Sequence, residues 1–266
     1  MTTRRLSLTD LRGMKSRGER IACLTAYDAS LARLVDEAGA ELVLVGDSLG
    51  MVVQGHDTTL PVSLDEMVYH TRCAARGLSR ALLIADLPFM SYATPEQALH
   101  SAARLMKEGG AQVVKLEGGA PQLETVQALS RQGIPVCAHL GLTPQSVHKL
   151  GGYRVQGRAP EAAETMFKDA LALETAGADL LILECIPNLL AEEITRALEI
   201  PVIGIGAGPA CDGQVLVSYD LLGFTARPPK FARNYAASHG APDKALKAFV
   251  DEVRSGVFPQ PEHCFS

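Results

Sequence analysis

Seven polar residues fall where apolar runs stop. Asp47 and Ser48 follow "LVLVG", Asp86 follows "LLIA", Lys115 and Glu117 lie in "VVKLEGG", His139 follows "PVCA" and Glu184 follows "LLIL". Hard carboxylate oxygens without paired thiolates suit Mg2+, with water and substrate oxygens completing the octahedron. Zinc fits less well, because the chain has no HExxH and no cysteine ligand cluster. A metal chelated by a 2-oxo acid polarises the ketone and eases removal of a proton next to the carbonyl. A separate carboxylate can act as base, and Lys115 and Ser48 can hold the substrate carboxylate. The set points to metal-assisted enolate chemistry on a small keto acid.

Taken singly, each residue has an ordinary structural reading. A carboxylate just after a strand often caps the next helix, which would account for Asp47 or Asp86. Lys115 could snorkel out of an apolar neighbourhood, and His139 could be a hydrogen-bonded core residue. As a set they resist these readings. Lys115 and Glu184 are flanked by buried-type strand residues, and charges in such places are costly unless paired or bound to metal.

The elements that would position these residues repeat along the chain. "EAGAELVLVGDS", "KEGGAQVVKLEG", "SRQGIPVCAHLG" and "ETAGADLLILEC" each end a helix, pass a Gly and enter a short apolar strand. Gly39, Gly109, Gly133 and Gly177 suit the left-handed position that closes a helix. Strands are expected near 21–26, 41–46, 81–86, 111–116, 134–138, 179–184 and 201–205, with an eighth near 214–219. Their near-continuous apolar character implies burial on both faces and a parallel sheet.

Between them lie helical faces such as Ala98, Ala102, Leu105 and Met106. Ser63 with Glu66 and Thr94 with Gln97 read as capping boxes, Pro95 suits a first turn, and Thr143-Pro144 repeats that start signal. Alternating strands and helices with about eight strands predict a single-domain (β/α)8 barrel over residues 1–266, with 1–20 as an N-terminal helical extension. A doubly wound open sheet is the alternative. In a barrel the strand C-termini share one rim, which would gather the seven polar residues at one mouth.

Bulk properties narrow the class. The chain has 266 residues, 47% hydrophobic and 21% charged, enough for a sizeable core. A net charge of −5 without a Lys/Arg run argues against a nucleic-acid or anionic-membrane surface. No apolar stretch is long enough to span a bilayer, and the basic N-terminus lacks the apolar segment of a secretory signal. The six cysteines form no CxxC pair and read as buried thiols of a reducing cytoplasm.

Other features are read as structural. "GIGAG" at Gly204–Gly208 suits a tight turn better than a phosphate site, and Gly46 reads as a backbone hinge. "GGYRVQGR" at Gly151–Arg158 suits a lid or a subunit contact, and His56 with Asp57 either orders a loop or touches substrate.

The blocks "VGDSLGMVVQGHDTTLPV", "ADLPFMSYATPEQA", "VKLEGG", "HLGLTPQSVHKLGGYRVQGR", "LECIP" and "IGIGAGPACDGQVLV" run in order over residues 20–235. They resemble the ketopantoate hydroxymethyltransferase family. That resemblance implies a (β/α)8 barrel of the phosphoenolpyruvate/pyruvate type. It implies transfer of a one-carbon unit from methylene-tetrahydrofolate to 3-methyl-2-oxobutanoate, giving 2-dehydropantoate on the way to pantothenate, with Mg2+ as cofactor. Asp47 and Asp86 then correspond to metal ligands, with Glu117 near the metal through water. Asp47, Ser48, Asp86 and Lys115 would contact the keto acid, Glu184 corresponds to the proton acceptor, and His139 would line the same pocket. Family members are cytoplasmic homo-oligomers, commonly decamers. The folate donor rests on the resemblance alone. The competing reading is a metal-dependent carbon–carbon lyase or mutase acting on a 2-oxo acid.

Overall fold

The computed structural model describes residues 4–266, so the first three residues of the expected N-terminal extension lie outside it. Eight parallel strands close into a barrel in sequence order, and the last pairs with the first. They are β1 Ile21–Thr25, β2 Leu42–Val45, β3 Leu82–Asp86, β4 Val113–Glu117, β5 Val136–Gly141, β6 Leu180–Glu184, β7 Val202–Ile205 and β8 Gly213–Leu216. Every strand residue is buried except Gly141 and Glu184, which are intermediate. Apolar side chains pointing inward fill the barrel, and those pointing outward pack under the helices. That two-sided burial is why the strands show no polar alternation.

The helices longer than a single turn are α1 Leu8–Ser16, α2 Ala29–Ala38, α3 Leu64–Ala75, α4 Pro95–Lys107, α5 Leu123–Arg131, α6 Pro160–Ala176, α7 Asn188–Ala197 and α8 Pro242–Ser255. The predicted faces are the buried ones: α4 buries Ala98, Ala102 and Leu105. Ser63 and Glu66 form a full capping box on α3. Thr94 caps α4 through the Gln97 amide, but the Gln97 side chain turns to the Ala93 amide instead of completing the box. Gly39, Gly133 and Gly177 are left-handed as expected. Gly109 is not: Gly110 takes the left-handed place, and Gly109 is needed for space, since a Cβ there would lie 2.5 Å from the Leu105 carbonyl oxygen.

Three further expectations change. Thr143-Pro144 does start a helical segment, but a short one, a 3-10 turn Pro144–Ser146 running into a single α-helical turn Val147–Leu150, and the long helix after β5 starts at Pro160. The eighth strand ends at Leu216 rather than 219, because the amide and hydroxyl of Ser218 both bond to Thr25 and start a single helical turn. Finally, β7 and β8 are joined by residues 206–212 with no helix between them. Gly206 and Gly208 are left-handed there, and a Cβ on either would strike Phe231 and Phe265 or Asn188.

Helix α1 closes the N-terminal end of the barrel. Lys15 donates to the Thr195 and Ile200 carbonyls and pairs with Asp212 at 2.9 Å, while Arg12 pairs with Asp179. Clefts of about 950 Å3 and about 560 Å3 flank this helix, the first lined by Arg12, Lys15, Asp179 and Asp212, the second by Arg20, Glu41, Arg80 and Arg254. Both lie at the opposite end from the polar strand termini.

Candidate active site

Strand register brings the polar residues together. Asp86 on β3 pairs in register with Lys115 on β4, and Glu117 on β4 pairs with His139 on β5. Lys115 and Glu117 are two residues apart, so both point into the barrel mouth. Gly141 on β5 lies opposite Glu184 on β6, which sets Glu184 two positions beyond the neighbour of His139. Asp47 and Ser48 follow β2 directly. All seven sequence-derived residues therefore belong to the strand C-terminal rim.

The contacts are dense. Lys115 Nζ donates to Asp86 Oδ1 at 2.6 Å, and the Asp47 amide donates to Asp86 Oδ2 at 3.0 Å. Ser48 Oγ lies 2.9 Å from the Tyr27 hydroxyl. His139 Nε2 stands 3.2 Å from Glu184 Oε2, and its Nδ1 stands 3.6 Å from Glu117 Oε1. Neither imidazole contact has hydrogen-bond geometry, and Glu117 Oε1 is a buried oxygen without a partner. Gly46 has ordinary backbone here; it is required because a Cβ would lie 2.8 Å from Ser48 Oγ and 3.4 Å from Asp86 Oδ2. Its role is room for the site rather than a hinge.

Two residues outside the strand ends complete the cluster. Gln145 Nε2 donates to Asp47 Oδ2 at 2.8 Å and to the Leu87 carbonyl at 2.9 Å, and the Gln145 amide donates to Glu117 Oε2 at 3.0 Å. The Tyr92 hydroxyl donates to Gln145 Oε1 and accepts from the Glu117 amide. Gln145 lies in the 3-10 turn after β5 and Tyr92 in the loop after β3, neither at a strand end, so strand-end reasoning passes over them. Tyr153, from the loop after β5, reaches back to Met51 after β2 at 3.4 Å. His56 and Asp57 are exposed.

The electrostatics are those of a buried acidic floor with one ammonium. Burial, then the charges of Asp86 and Glu117, push the Asp47 carboxyl well above the usual range. Burial would lower Lys115, but the charges of Asp86, Glu117 and Asp47 outweigh it and raise it. Burial and Lys115 also act to lower His139, while Glu117 and Glu184 more than offset them and hold it at about 9. Burial followed by the Glu184 charge raises the Cys185 thiol, which opposes a thiolate nucleophile beside the site. All cysteines are free, and all but Cys73 are buried.

This floor fits a hard divalent cation. Asp47, Asp86 and Glu117 outnumber Lys115, their donors are oxygens, and Glu117 Oε1 has no protein partner. Among the described residues no three Asp, Glu, His or Cys side chains form a ready-made metal cage. Mg2+ does not need one, since it is held through one or two carboxylates and keeps several waters.

The family model for ketopantoate hydroxymethyltransferase matches residues 5–261. The chain belongs to the ketopantoate hydroxymethyltransferase family. Within that family, the 3-methyl-2-oxobutanoate hydroxymethyltransferase of Halorhodospira halophila is 61% identical over 98% of this chain and 94% of that protein. Such a relationship identifies a transferase enzyme of pantothenate biosynthesis acting on small molecules, and it favours the transferase over the lyase reading. Solved structures share the barrel. A phosphoenolpyruvate phosphomutase from Streptomyces platensis subsp. rosaceus superposes with TM-score 0.63 at 15% identity, covering 96% of this chain and 100% of that one. A phosphonopyruvate hydrolase in complex with oxalate and Mg2+ superposes with TM-score 0.61 at 14% identity, covering 96% and 92%. At these identities the likeness concerns the fold alone. Among the described residues, no helix is long and apolar enough to cross a membrane.

Proposed function

We propose that the protein transfers a hydroxymethyl group from 5,10-methylenetetrahydrofolate to 3-methyl-2-oxobutanoate, giving 2-dehydropantoate. Asp47 and Asp86 would hold Mg2+, with Glu117 beside it; when bound, the cation supplies the Lewis acidity that polarises a ketone. Lys115 and Ser48 bind and orient the keto-acid carboxylate. Glu184 removes the proton from carbon 3, leaving the enolate. His139 Nε2 stands 3.2 Å from Glu184 Oε2, beside the proposed base. Carbon 3 then bonds to the methylene carbon of the folate as its two carbon–nitrogen bonds break; one water supplies the hydroxyl, and its other proton with the one taken from carbon 3 ends on the two folate nitrogens. The protein acts in the cytoplasm as a homo-oligomer, a decamer on the family pattern.

The observation that carries this reading is a division among the carboxylates. Asp47, Asp86 and Glu117 are bonded into the buried floor through Gln145 and Lys115. Glu184, with a side chain 14% exposed, stands apart at the rim beside His139. Incubating the purified protein with the keto acid in D2O tests it directly. Deuterium should enter carbon 3 without folate present, and a carbon 3 that stays fully protonated contradicts the reading.

A further inference from the structure

Gln145 touches two of the three floor carboxylates. Its side-chain Nε2 donates to Asp47 Oδ2 and its backbone amide to Glu117 Oε2, while its Oε1 accepts from Tyr92. The orientation of this amide is fixed by its surroundings. The Leu87 carbonyl facing Nε2 can only accept, and the Tyr92 hydroxyl facing Oε1 already accepts from the Glu117 amide and so has its proton free to donate. Gln145 and Tyr92 are 6% and 7% exposed, so water is poorly placed to substitute for either bond.

Gln145 thereby holds each of these two carboxylates by one oxygen. Asp47 uses Oδ2 and Glu117 uses Oε2, and Glu117 Oε1 remains without a partner. A carboxylate anchored through one oxygen presents the other in a fixed direction. Groups of this kind, bonded behind the ligands of a metal, set ligand orientation and affinity.

We propose that Gln145, locked by Tyr92, is the positioning residue that orients Asp47 and Glu117 for the divalent cation. The inference rests on the proposed function for the presence of that cation, and it adds the residues that organise its site. Tyr92 acts through Gln145, so the two form one device rather than two independent supports.

Titrating Mg2+ into the purified protein by calorimetry, without substrates, tests this, with thermal melts to show that each variant is folded. Gln145→Ala should weaken Mg2+ binding by about tenfold or more. Tyr92→Phe should weaken it by a smaller factor. The double variant should bind no worse than Gln145→Ala, because the hydroxyl has nothing left to orient. Raised Mg2+ should restore kcat in Tyr92→Phe. Folded variants with wild-type Mg2+ affinity overturn the inference, as do losses that multiply in the double variant. If Gln145→Ala does not fold, Tyr92→Phe alone decides by the same criterion. A wild-type protein without Mg2+ affinity sinks the metal reading itself, whereas wild-type binding with unaltered variants sinks only the clamp.

Discussion

Asp86 and Lys115 are register partners on β3 and β4, and their side chains meet at 2.6 Å in a floor nearly closed to solvent. Asp86 also accepts the Asp47 amide. Asp86→Ala therefore removes a buried counter-charge as well as a proposed ligand. Breaking a buried pair costs on the order of 3–5 kcal/mol, less the share that Glu117 and Asp47 take over near Lys115. The melting temperature should fall by several degrees as activity is lost, and a thermal melt identical to wild type would contradict the pairing.

Glu184→Gln keeps the size of the side chain and removes the base. Keto-acid binding should persist, measured by calorimetry, while deuterium exchange at carbon 3 slows by at least a hundredfold, a typical share for general-base catalysis. Exchange at the wild-type rate would remove Glu184 from that role.

Gly141→Ala should damage the same residue through the backbone. Gly141 has φ +96°, and a Cβ would lie 2.1 Å from the Glu184 carbonyl oxygen. The strained backbone costs roughly 1–2 kcal/mol, and the collision must displace Glu184. Both the melting temperature and kcat should drop, and a variant with full kcat would show that Glu184 need not be held so closely.

Asp36 offers a pH prediction far from the mouth. Burial pushes its carboxyl up, but bonds from Ser79, Ala81 and Arg80 outweigh this and hold it below the usual range. A depressed folded pKa means that its stabilisation is complete above the ordinary aspartate pKa and disappears as pH falls through the folded value. Asp36→Asn should lower stability at neutral pH by about 1–3 kcal/mol. The gap to wild type should narrow as pH drops below about 3.9. Denaturant unfolding at several pH values checks this, and a gap that is constant with pH would contradict it.

The barrel is legible in the chain because strands buried on both faces must be apolar for most of their length, and the polar residues at or near the ends of β2 to β6 are conspicuous. Asp47, Asp86, Lys115, Glu117, His139 and Glu184 all stand out in this way. Gln145 and Tyr92 do not, since they reach the floor from a short turn and a loop whose course is set by tertiary packing. The β7–β8 connection was equally hidden. Its glycines mark a tight turn, but only the closed barrel shows that the turn replaces a helix.

Product formation from 3-methyl-2-oxobutanoate is the decisive measurement, with and without 5,10-methylenetetrahydrofolate, and again after metal is stripped and Mg2+ returned. 2-Dehydropantoate should form only when keto acid, folate donor and Mg2+ are all present, with loss on stripping and recovery on return. No product from the complete mixture, or equal product without the folate donor, would contradict it.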